Sequence, residues 1–95
     1  MMGNRKLSLD EFHIVKELAE EVAYAGTKAD GKEAERKLQF FASGLRSHLL
    51  GNASNVLSEV VGYALSASGR VENKSLYIDA MKNELSTLES MADTL

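Results

Sequence analysis

Apolar side chains recur at three- and four-residue intervals along four successive segments of this chain, and no proline interrupts any of them. That spacing is the repeat of one face of an α-helix, whereas a half-buried strand alternates every second residue. Gly and Asn residues punctuate the segments, and no connection is long enough to carry a helix back across the molecule. Consecutive helices are therefore expected to run antiparallel. The fold class that follows is all-α, a compact antiparallel bundle of about four helices that a second chain could complete by dimerisation. Ninety-five residues, 44% of them apolar, suffice for one modest core, so residues 1–95 are read as a single helical domain with 1–7 as a flexible lead.

Helix 1 is expected from Ser8 to near Gly26. Ser8 and Glu11 form the Ser-x-x-Glu capping box, in which hydroxyl and carboxylate each take a free backbone N–H. Phe12, Val15, Leu18, Ala19, Val22 and Ala23 share its apolar side, opposite His13, Glu17, Glu20 and Tyr24. Helix 2 is expected to start after Asp30, which has Glu33 in the same relation, and to stop near Gly51-Asn52, residues that tolerate a left-handed helix end. Its core stripe is Ala34, Leu38, Phe41, Ala42, Leu45 and Leu49. Phe40 falls off this stripe and shares a second face with Gly44, Ser47 and Gly51.

Helix 3, Ala53–Ser68, buries Val56, Leu57, Val60, Val61, Ala64 and Leu65, and Glu59 is its one charged residue. A helix so poor in charge is expected to be the most buried of the four. Helix 4, Glu72–Asp93, carries Ile78, Met81, Leu85, Leu88 and Ala92 on one stripe. Residues 8–27 hold one Lys against five acids and residues 28–48 five basic residues against three, so charge favours pairing helix 1 with helix 2. Each exposed pair contributes only ~0.2–1 kcal/mol, enough to select a neighbour but not to hold the fold.

Function classes narrow by exclusion. Zero cysteines remove disulfides, cysteine zinc sites and thiol nucleophiles. No apolar run reaches the ~18 residues of a membrane span, and Met1–Asp10 has no apolar centre, so a cytoplasmic protein without membrane contact is expected. Ten serines include no Gly-x-Ser-x-Gly elbow, and no phosphate-binding glycine loop occurs, so no catalytic residue is assigned and an enzyme is not expected. Asp10, His13 and Glu17 share one helix face, but it is the face away from the core, and a bundle metal centre needs inward ligands from several helices. No metal or cofactor is assigned. His48 lies beside the core stripe as a boundary residue. Asn52-Ala53-Ser54 and Asn73-Lys74-Ser75 stand at helix starts and read as capping residues.

The remaining feature is a surface of small residues. Ser54, Ser58, Gly62 and Ser66 repeat every four positions, as do Ser43, Ser47 and Gly51. Such rows are ridges along which helices approach closely, either within one chain or between two. Phe40, Gly44, Ser47, Gly51, Asn55, Ser58, Gly62 and Ser66 are the expected interface residues. They suggest a non-enzymatic protein-interaction module (an adaptor, assembly factor or regulator) that self-associates through helices 2 and 3 and binds another protein. The alternative is a helix-turn-helix regulator offering Ser54, Asn55 and Ser58 to base edges. Net charge −3 and the lack of any Lys or Arg from Ala53 to Gly69 speak against nucleic acid, leaving only Arg46 and Arg70 at the flanks. A metal or small-ligand bundle is a further alternative.

Overall fold

The computed structural model describes residues 5–49 and 51–92 and consists of four α-helices packed as a compact all-α bundle. They are α1 (Leu9–Tyr24), α2 (Lys28–Arg46), α3 (Gly51–Ala67) and α4 (Lys74–Met91). Helices α1 and α3 each pack against all three others, while α2 and α4 make no contact among the described residues. The inward faces follow the expected stripes. Phe12, Val15, Ala19, Val22, Leu38, Leu57, Val60, Met81 and Leu88 are fully or almost fully buried, and Leu18, Phe41, Val56 and Leu65 lie half-buried around them.

Helix α1 begins with both halves of its capping box formed. Ser8 Oγ accepts from Glu11 N–H at 3.1 Å, and Glu11 Oε1 accepts from Ser8 N–H at 3.0 Å. Helix α2 starts earlier than its sequence pattern suggests. Its N-cap is Thr27, whose hydroxyl accepts from Asp30 N–H at 3.0 Å, so Asp30 lies in the first turn and does not cap. The earlier start brings Gly31 into the helix, buried where a Cβ would stand 2.9 Å from both Ala25 Cβ and Ser68 Oγ. Only glycine fits that approach.

The other end of α2 also differs from expectation. The helix stops at Arg46, Ser47 serves as C-cap with its hydroxyl donating to the Gly44 carbonyl at 2.8 Å, and Gly51 and Asn52 form the first turn of α3. No left-handed glycine is needed there, because His48 N–H and Leu49 N–H both return to the Leu45 carbonyl. Asn73 occupies the N-cap of α4 at φ 63°, a left-handed value that asparagine tolerates, but its side chain caps nothing. Its backbone carbonyl accepts from Leu76 and Tyr77 instead. The expected end of helix 4 at Asp93 lies outside the described residues.

Arg5–Leu7, part of the lead expected to be flexible, pack against the bundle. Leu7 is 0% exposed, and Arg5 N–H donates to the His48 carbonyl at 2.8 Å. At the opposite end the α1–α2 and α3–α4 connections meet. Gly69 N–H donates to the Ala25 carbonyl at 3.1 Å, and the Lys74 ammonium reaches the carbonyls of Ala25, Ala67 and Gly69 at 3.0, 2.7 and 2.9 Å. One lysine thus serves carbonyls at the C-terminal ends of both α1 and α3, where the helix dipole favours a cation.

Candidate interaction surface

All eight residues expected at an interface are exposed. Among the exposed large apolar side chains of the described residues Phe40 is the most open, with 84% of its surface exposed. Around Gly44, Gly51 and Gly62, among the described residues, nothing beyond the helix's own backbone and the adjoining residues lies within 4 Å of the position a Cβ would take. The close helix approach that small residues permit is therefore not used between α2 and α3 of one chain. The two rows are also not continuous in the way the sequence suggests. The row through Ser43 ends at the C-cap Ser47, and Gly51 belongs to α3.

Helix α3 has a well-buried inner side, but its outer side, with Asn55, Ser58, Gly62 and Ser66 and Glu59 as its one charge, faces outward. Glu59 on that side meets Glu84 of α4. Burial first, and then the facing Glu59 carboxylate, pushes the Glu84 carboxyl above its ordinary range. Of the three residues offered to base edges in a helix-turn-helix reading, Ser54 is half-buried and Asn55 and Ser58 are exposed. Asp10, His13 and Glu17 are exposed on α1, and among the described residues no three potential ligands converge on a metal position.

Beside Phe40 the surface forms an open groove of about 500 Å³. Half-buried Phe41 and buried Leu45 contribute apolar surface, Ser43 and Gly44 border it, and Arg5, Glu11 and His48 complete its lining. The Arg5–Glu11 side is firmly built. Arg5 donates through Nη1 and Nη2 to the two oxygens of Glu11 at 2.8 and 2.7 Å, while Glu11 Oε1 still serves Ser8 N–H. Bidentate pairing of this kind fixes orientation as well as distance. The Arg5 hydrogen bonds, aided by those from Ser8, hold the Glu11 carboxyl down at about 2 against the opposing effect of burial.

The sequence reading found Phe40 and Gly44 but missed Arg5 as a member of this surface. The available signal was the capping box itself, which turns the Glu11 side chain back toward the residues preceding Ser8. His48, expected at the boundary of the core, is exposed and faces the groove. The charge partition between helices 1 and 2 accompanies their packing, but among the described residues no ion pair crosses from α1 to α2.

Comparison with protein-family models, with curated proteins and with solved structures yields no match.

Proposed function

We propose that this chain is a non-enzymatic helical protein-interaction module, an adaptor, assembly factor or regulator, acting through the Phe40 face of α2 and the sparsely charged outer face of α3. The observation that carries the reading is Phe40 itself, 84% exposed on a helix whose other large apolar side chains point inward. Covering a phenylalanine contributes about 1.5–3 kcal/mol, so a partner that buries this ring gains a substantial anchor. The glycines on both faces leave room for a closely approaching backbone, and the scarcity of charge lowers the cost of removing α3 from water. Self-association is one form of this activity, and binding a different protein is the other.

The test is quantitative affinity capture from a cell lysate with the immobilised parent chain, Phe40→Asp and Gly62→Arg, each first checked for parental helicity. Proteins retained by the parent and depleted with either variant support the reading. Identical retained sets for all three chains would overturn it.

A further inference from the structure

We infer that the Phe40 face of α2 docks an acidic amphipathic helix of another protein, whose apolar side chain enters the groove beside Gly44 and whose carboxylates meet cations standing at both ends of that groove. The inference rests on the interaction-surface reading above and names the chemistry of the partner.

Helix α2 is a basic element of an acidic protein. Residues 28–48 carry five basic residues against three acids, a balance of +2, while the whole chain stands at −3, which leaves −5 on the remainder. The cations surround the apolar spot. Arg36 and Lys37 lie on the exposed side of α2 one turn before Phe40, and Lys32 lies a further turn away. Beyond the groove, Arg46 Nη2 donates to Ser43 Oγ at 3.3 Å, which sets its guanidinium beside a residue of the groove wall, and His48 lines the groove itself. Glu33 pairs with Arg36 and Glu11 with Arg5, but among the described residues no carboxylate pairs with Lys32, Lys37 or Arg46.

Between the two groups of cations Phe40 projects, and the groove of about 500 Å³ beside it has apolar walls from Phe41 and Leu45 and, at Gly44, no side chain to obstruct entry. Lys37 and Arg46 are nine residues apart, which is about 14 Å along the helix axis. A partner helix lying along α2 with an apolar side chain at its centre reaches both with carboxylates a little over one turn to either side. A second copy of α2 does not satisfy this arrangement, because antiparallel overlap sets Arg36 and Lys37 against Arg46 and His48, and parallel overlap sets each cation beside its own copy. A bilayer surface satisfies it no better, since it offers no side chain to fill the groove. A contact of about three helical turns is small by the standard of permanent interfaces, so dissociation on the order of micromolar or weaker is expected, with opposite charge speeding the encounter.

The probe is an alanine-based helical peptide of about 20 residues with leucines at its centre and glutamates toward both ends, compared with the same peptide carrying lysine for glutamate. In fluorescence anisotropy the parent chain should bind the glutamate peptide about tenfold or more tightly than the lysine peptide, and should lose most of that preference between about 50 and 500 mM salt. Phe40→Ala should weaken binding about tenfold or more, as loss of a central anchor does, with unchanged helicity. Lys37→Glu and Arg46→Glu made together should reverse the preference, so that the lysine peptide becomes the tighter ligand. Equal binding of the two peptides, indifference to Phe40→Ala, an unreversed preference, or tighter binding of phosphatidylserine vesicles or a thymidine oligonucleotide than of the glutamate peptide would each overturn the inference. If the variant-dependent affinity capture described above still holds in such a case, the interaction-module reading survives and only the acidic helix as occupant fails.

Discussion

Arg5 and Glu11 form a two-pronged ion pair that closes the N-terminal segment onto α1, with both contacts under 2.9 Å. Because the Glu11 carboxyl is held at about 2, below its ordinary 4.5, the pair stabilises the fold above the ordinary value, and that contribution is lost as the pH falls from about 4.5 toward 2. The Arg5 side chain is 46% exposed, so solvent screening limits the gain to about 1 kcal/mol. Arg5→Ala should cost about that much at pH 7 and almost nothing near pH 2, measured by urea denaturation at both pH values.

Lys74→Met should destabilise the fold by about 2–3 kcal/mol, since it strips a charged donor from three carbonyls and removes the cation at the end of α1, while α3 keeps only the Lys28 ammonium on its Leu65 carbonyl. Lys74→Arg should not restore the loss, because a planar guanidinium fork does not match acceptors that converge on one ammonium. Thermal melts of the two variants followed by circular dichroism provide the check.

Gly31 and Ser68 should show coupled behaviour. Gly31→Ala should cost about 1–3 kcal/mol by overpacking against Ala25 and Ser68, despite the better helix propensity of alanine. Ser68→Ala should be neutral or stabilising by up to about 1 kcal/mol, since the buried Ser68 hydroxyl has no hydrogen-bond partner among the described residues. Ser68→Gly should recover part of the Gly31→Ala loss in a double-mutant cycle.

Leu45→Ala and Val60→Ala should each cost about 2–4 kcal/mol, a large share of the ~5–15 kcal/mol available to a domain of this size. Differential scanning calorimetry should register midpoint losses of roughly 10 °C or more, as such costs imply for a small domain.

The helical stripes were legible in the sequence because burial and period report the same fact: Leu38 and Val60 face inward for the reason that they fall on the stripe. Helix boundaries were less so. Thr27-x-x-Asp30 and Asp30-x-x-Glu33 are both plausible starts locally, and the choice is made by the packing of Gly31 under Ala25 and Ser68, a contact 37 residues apart in sequence. Gly51 invited the inference of a helix end, but the chain had already stopped at Arg46 with a serine cap. The exposed Phe40 was found from its displacement off the stripe. Arg5 was not, because a lone cation in a polar lead carries no periodic signal.

The ends of two helical hairpins meet at the Ala25 carbonyl, which accepts from both Gly69 N–H and the Lys74 ammonium. Contacts that join turns 44 and 49 residues apart follow the local hairpins in time, since loop closure must precede them. A latch closed that late slows unfolding while leaving the folding rate nearly untouched. Through its bond to Ala25, Lys74 therefore acts on the lifetime of the native molecule, while its bonds to Ala67 and Gly69 are local to the α3–α4 turn and belong to that hairpin from the start.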